Sequence, residues 1–144
     1  MFARIVILSL AALGGLLQPV LGGITGCSNP GDHTCAVLTS ASAYGDPWSG
    51  PSDTGSGVAI VNGACESILG SGSLQTESPG FYGDFHTTYG TELQYWADDI
   101  GISNIHGINF HYLADNKWYY QSGCQQRQAG SDPAYEIIQC NFAC

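Results

Sequence analysis

Residues 104–124, NIHGINFHYLADNKWYYQSGC, hold the densest run of strand-forming side chains in the sequence. Ile108, Phe110 and Tyr112 alternate with polar residues, which is the period of a strand with one buried face. The Asp-Asn pair that follows favours a turn, because both residues tolerate left-handed backbone and bond their own main chain. The stretch therefore predicts a β-hairpin with an aromatic second arm.

Outside this hairpin, the sequence predicts further strands in 35–39, 57–62, 81–87 and 134–142. Two stretches rich in Gly and Ser, 40–57 and 70–80, are interpreted as loops.

One helix is predicted between Thr91 and Gly101. Thr91 and Gln94 form a capping box. An apolar stripe at helical spacing follows, made of Leu93, Trp96, Ala97 and Ile100. Because the helix is too short to be stable alone, we expect it to pack on the sheet and to bury Trp96. The predicted fold class is α+β, an antiparallel sheet with one helix on a face.

The N-terminus indicates export. Arg4 precedes an apolar run that ends in small residues, so residues 1–22 are interpreted as a secretory signal peptide and residues 23–144 as a single secreted domain. No later apolar run is long enough to cross a bilayer.

All six cysteines lie in the predicted mature chain, and an even count in a small exported domain predicts three disulfides: Cys27, Cys35, Cys65, Cys124, Cys140 and Cys144. We expect the two N-terminal cysteines to pair with the two C-terminal ones, and Cys65 to pair with Cys124.

Charge restricts the partners. The chain has a formal net charge of −9, and removal of Arg4 makes it more negative still. Phosphate backbones and anionic lipids would be repelled, so nucleic acid and membrane surfaces are not expected partners. We expect a monomer that meets an extracellular protein or glycan.

Asp84 and His86 are candidates for acid–base chemistry, because they alternate on the polar face of the strand at 81–87. His106 or His111 could supply a second group. The two histidines would face opposite sides of one strand, so no metal site and no cofactor is expected. The sequence Asp53-Thr54-Gly55-Ser56 matches the signature of aspartic proteases, but no hydrophobic strand precedes it, and it is interpreted as a turn.

Trp118 and Tyr120 are candidates for a binding surface. They alternate with Tyr119 along the second hairpin arm, so an exposed face there would present aromatic rings to a carbohydrate or another ligand.

The signal peptide, short mature chain, six cysteines and abundant Gly and Ser resemble those of small secreted cysteine-rich proteins of fungi, a class that includes effectors and killer toxins. The opening Gly23-Ile24-Thr25-Gly26-Cys27, with Cys35, is similar to that of virally encoded smut-fungus killer toxins. Small acidic guanyl-specific ribonucleases are a second comparison. The active sites of these ribonucleases need Arg and His side chains that converge on the sheet. In this sequence, by contrast, Arg127 lies among glutamines.

Three functions remain open from the sequence. The first is a non-enzymatic effector- or toxin-like protein that binds an extracellular partner. The second is a small secreted hydrolase that uses Asp84 and His86. The third is a carbohydrate-binding module that uses Trp118 and Tyr120.

Overall fold

The computed structural model describes residue 24 and residues 26–42, 55–101, 104–127 and 135–144. Nearly all of the regular secondary structure in this part of the chain is β-strand. The strands are β1 (Thr34–Ser42), β2 (Gly55–Val61), β3 (Leu69–Thr76), β4 (Phe81–Thr87), β5 (Glu92–Ala97), β6 (Asp99–Gly101), β7 (Asn104–His106), β8 (Asn109–Tyr112), β9 (Lys117–Tyr120), β10 (Gln125–Arg127) and β11 (Tyr135–Ala143).

The strands form two antiparallel sheets and a small ribbon. The four-stranded sheet has the order β10-β11-β1-β2, the five-stranded sheet has the order β3-β4-β5-β8-β9, and β6 pairs with β7. The two sheets share one apolar core. Phe142 of β11 packs against Phe110, Tyr112 and Tyr119, with ring centroids 4.8–5.7 Å apart. This part of the chain is therefore a β-sandwich.

The predicted hairpin is confirmed. Strands β8 and β9 pair in the register Phe110 to Tyr119 and His111 to Trp118. Asn116 has a φ of 54°, and Asp115 Oδ1 accepts a hydrogen bond from the Lys117 backbone N–H at 3.1 Å. The Asp-Asn pair thus forms the turn in the manner its chemistry predicts.

The predicted helix is wrong, and with it the α+β class. Its residues form β5 and β6, and the one helical element in the described chain is a 3₁₀ turn, Gln121–Gly123. The same residues also alternate as strands do, with Leu93, Tyr95 and Ala97 buried. Strands β4 and β8 pair with β5 on both sides, so the strand period prevails over a helix that could not persist alone.

The capping-box residue has a different role. The Thr91 hydroxyl lies 2.8 Å from Thr87 Oγ1 and donates to the Tyr112 hydroxyl at 3.1 Å. These hydrogen bonds close the β4–β5 hairpin, where Gly90 has a φ of 76°. A threonine that reads as a helix cap thus fixes a tight turn between strands.

The loop predicted at 70–80 is largely strand β3, which pairs along β4. Its glycines leave room for a ring, because a Cβ at Gly72 would come within 2.8 Å of the Phe85 side chain. Strands β1, β2, β4 and β11 confirm the other predicted strands. The predicted signal peptide, Asp53 and Thr54 lie outside the described residues, as does most of the loop at 40–57.

Three disulfides are present, as predicted, but the pairing differs from expectation. Cys35 pairs with Cys144, which links the first strand to the end of the last. The other bonds are Cys27–Cys65 and Cys124–Cys140, so the expected pair of Cys65 with Cys124 is wrong. Cys124 precedes Gln125, which pairs with Gln139 in β11, and this register sets Cys124 opposite Cys140. The disulfides are typical of proteins folded in an oxidising compartment. Among the described residues, no helix has the length and apolarity needed to cross a bilayer.

Candidate functional site

The five-stranded sheet has one face in the core and one face outside it. The register places the outward residues in rows across the strands. Each of them is either aromatic or able to hydrogen-bond, and none is aliphatic. We call this set the outer face: Ser71, Ser73, Gln75, Tyr82, Asp84, His86, Glu92, Gln94, Trp96, Asn109, His111, Trp118 and Tyr120.

A continuous aromatic ladder crosses the outer face. It consists of Tyr82 on β4, Trp96 on β5, Trp118 on β9 and His111 on β8. Ring centroids are 5.3 Å apart from Tyr82 to Trp96, 5.2 Å from Trp96 to Trp118 and 4.9 Å from Trp118 to His111. The indole of Trp118 is nearly parallel to both neighbours, at 29° and 5°. Trp118 is 47% exposed, so the ladder is accessible on β9. Tyr120, the next outer-face residue on β9, is 60% exposed.

Several contacts fix the strand that carries Trp118 and Tyr120. His111 Nε2 donates to Asn116 Oδ1 at 3.0 Å, which orients the imidazole that stacks on Trp118. Gln121, directly after β9, accepts from the Ile108 backbone N–H at 3.1 Å and donates to the Ile105 carbonyl at 3.0 Å. The Cys124–Cys140 disulfide then joins this segment to the opposite sheet. The edge strand is therefore held on both sides of its aromatic residues.

A pocket of about 140 Å³ adjoins the Tyr82 and Trp96 end of the ladder. Its walls combine aromatic residues with the acidic residue Glu77, and its lining residues are Glu77, Ser78, Pro79, Phe81, Tyr82, Trp96, Ala97 and Asp98. The carboxylate of Asp98 packs on Gly107, where an added Cβ would clash with it. The β3–β4 turn forms one wall, and the end of β5 forms the other. The pocket therefore extends the aromatic surface into a concave acidic site.

Negative charge dominates this end of the ladder. The pKa of Tyr82 is raised to about 12, chiefly by its hydrogen bond to Asp84, then by partial desolvation and by the charges of Asp84, Glu77 and Glu92. An anion is thus harder to form at this hydroxyl than in water. Tyr82 consequently remains a hydrogen-bond donor at any physiological pH.

The structure does not bring the four acid–base candidates into one cleft. Asp84 and His86 share the outer face, about 7 Å apart along β4. His111 lies in the row of Asp84, with Gln94 between them, so roughly 10 Å separates their backbones. His106 lies on β7, outside the five-stranded sheet. No hydrogen bond joins any two of these four residues, all of which the structure describes.

The two predicted binding residues lie on the aromatic surface, and sequence reasoning missed the residues that complete it. The predicted helix buries Trp96 in its apolar stripe, whereas in the structure Trp96 is half-buried and stacks on Trp118. No functional prediction from the sequence names Glu77. The alternation of residues 92–97 was the signal that could have placed Trp96 outside, because a period of two puts it opposite Tyr95.

Within the described ranges, no group of three or more His, Cys, Asp or Glu side chains could hold a metal ion. Comparison with known proteins adds no constraint: no family model, curated protein or solved structure matches the chain. The geometry of the outer face therefore carries the functional argument.

Proposed function

We propose that this chain is a secreted, non-enzymatic binding protein of effector- or toxin-like type, and that its extracellular partner is a glycan bound on the outer face. The observation that carries this proposal is the aromatic ladder set among hydrogen-bonding side chains on one open sheet face. Sugars present C–H faces that pack on aromatic rings and hydroxyls that need donors and acceptors. The outer face supplies both.

The composition of the outer face favours a glycan over a protein partner. The buried centre of a protein interface is more apolar than the rest of the surface and is depleted in charged residues. Here the rings of Trp96 and Trp118 are flanked by Gln94 and Asn109, and no aliphatic side chain lies among them. A polyhydroxylated ligand can satisfy these amides, whereas an apolar protein surface would leave them without hydrogen bonds.

The same geometry favours binding over hydrolysis. Acid–base catalysis needs groups within hydrogen-bond reach of the reacting atoms. Asp84 and His86 are separated along their strand, and His111 is engaged by Asn116 and Trp118. Stacking and hydrogen bonding are therefore the chemistry that this face is built to supply.

The test is a binding measurement on the full secreted chain, produced in an oxidising host with its disulfides formed. Isothermal titration calorimetry against a panel of soluble oligosaccharides should find at least one ligand. Trp118→Ala should weaken that ligand by roughly 30-fold, about 2 kcal/mol, because it removes the centre of the ladder.

Tyr89→Ala is the matched control. Tyr89 is 54% exposed and lies in the β4–β5 turn, away from the ladder. We expect the variant to bind as the unaltered chain does. Equal losses in both variants, or no binding of any glycan by the unaltered chain, would contradict the proposal. If a protein rather than a glycan bound through Trp118, the outer face would remain the binding surface and a protein would replace the glycan as the proposed partner.

A further inference from the structure

We infer that the pocket at the Tyr82 and Trp96 end of the ladder is an ammonium subsite, and that the glycan carries protonated amino sugars, as a glucosamine polymer does. This inference rests on the proposed function and specifies its ligand. Two features combine in the pocket: aromatic side chains and the acidic residue Glu77, whose charge acts on Tyr82. Together they are the chemistry that recognises an organic cation.

The walls can hold a cation in two ways. Tyr82 and Trp96 offer ring faces, which attract an ammonium group through the ring quadrupole. Glu77 offers carboxylate oxygens, which accept charge-assisted hydrogen bonds from its N–H groups. A neutral acetamide at the same place would meet the Glu77 carboxylate without a charge to compensate it. The pocket therefore discriminates between a free amine and its acetylated form.

Neither basic residue in the described part of the chain, Lys117 or Arg127, lines the pocket. The outer face contains no Lys or Arg. Lys117 lies at the start of β9, and its Nζ is 3.8 Å from Asp115, which partly neutralises it. Arg127 belongs to β10 of the other sheet. Asp84 and Glu92 add to the negative charge on the outer face near the pocket, as the raised pKa of Tyr82 reflects.

The size and position of the pocket suit one group of a longer ligand. Its volume of about 140 Å³ is below the roughly 300–1,000 Å³ of a site that encloses a whole small molecule. The ladder begins at the pocket wall, since Tyr82 and Trp96 belong to both. A chain of sugars that stacks along the ladder would thus place one amine in the pocket.

The experiment compares two probes that differ in acetylation alone: a hexamer of glucosamine and a hexamer of N-acetylglucosamine. Both are titrated into the full secreted chain at a mildly acidic pH, at which the free amines are protonated. The glucosamine hexamer should bind at least about tenfold more tightly. Glu77→Gln should reduce that preference to about twofold and leave the affinity for the acetylated hexamer unchanged.

Asp32→Asn is the matched control, because it removes the same charge from an exposed turn before β1. It should keep the tenfold preference. Equal binding of both hexamers, or tighter binding of the acetylated one, would overturn the ammonium subsite and leave the glycan proposal standing. Equal effects of Glu77→Gln and Asp32→Asn would also overturn it, because net charge would then explain the preference. Absence of any Trp118-dependent glycan binding would overturn both.

Discussion

The two faces of the five-stranded sheet are both rich in aromatic residues, yet they differ in what surrounds the rings. On the inner face, Phe110 packs between Tyr119 and Phe142 and has no exposed surface. On the outer face, the neighbouring residues His111 and Trp118 stack on each other beside amides and carboxylates. Aromatic content therefore does not identify a core, whereas the residues next to each ring on the adjacent strands do identify it.

The largest loss of stability should come from a substitution on the inner face. Phe110→Ala removes a ring that fills the centre of the sandwich, and a substitution of this kind typically costs about 3–5 kcal/mol of the free energy of unfolding. Chemical denaturation followed by tryptophan fluorescence measures it. A loss below about 1 kcal/mol would show that the inner face does not carry the stability of the domain.

A smaller effect concerns the hydroxyl pair that joins the sheets. Thr39 Oγ1 lies 2.8 Å from the Tyr95 hydroxyl, and both residues are fully buried. Thr39→Val should cost about 1–3 kcal/mol, because it leaves the Tyr95 hydroxyl without a partner. Combining it with Tyr95→Phe should restore part of that loss, since no polar group is then stranded. A double-mutant cycle measures the coupling free energy between Thr39 and Tyr95. Purely additive losses of stability would contradict the predicted coupling.

The buried tyrosine also predicts a response to alkali. Burial raises the pKa of Tyr95 well above its ordinary value, and the hydrogen bond between Tyr95 and Thr39 only partly opposes this. Above about pH 10 the unfolded chain loses this proton while the folded chain retains it, so stability falls as the pH rises. The slope for this group approaches about 1.4 kcal/mol per pH unit. Urea titrations at several alkaline pH values should show a shallower slope for Tyr95→Phe.

The smallest effect on stability should come from the outer face. Trp118→Ala should change the free energy of unfolding by less than about 1 kcal/mol, because nearly half of the side chain is already in water. The same variant should lose glycan binding, so it separates the two faces by function. A loss of stability as large as that of Phe110→Ala would show that the ladder belongs to the core.

Local alternation predicted much of the fold. In residues 81–87 and in the hairpin, the faces predicted to be apolar are buried, because the period of two is unambiguous there. Residues 92–100 fit two periods at once. Leu93 and Ala97 are apolar in both, and the choice between helix and strand decides whether Trp96 or Tyr95 is buried. Nothing within that stretch settles the choice, since β4 and β8 impose it from outside.

The candidate site shows the same limit. Trp118 and Tyr120 could be predicted from alternation along a single strand. The ladder could not, because it depends on the register between four strands that are distant in sequence. The pocket depends further on the β3–β4 turn, which lies in the stretch 70–80 that the sequence predicts to be a loop. Where a site is assembled across strands, one wrong element removes most of its residues.

The anchoring of β9 has a consequence for affinity. An edge strand tends to fray, and a ligand that must first order it loses part of its binding free energy to that ordering. Here the disulfide at Cys124 and the two hydrogen bonds of the Gln121 side chain hold the strand before any ligand arrives. Trp118 is consequently preorganised, so weak contacts with individual sugars can sum to a measurable affinity for a longer glycan.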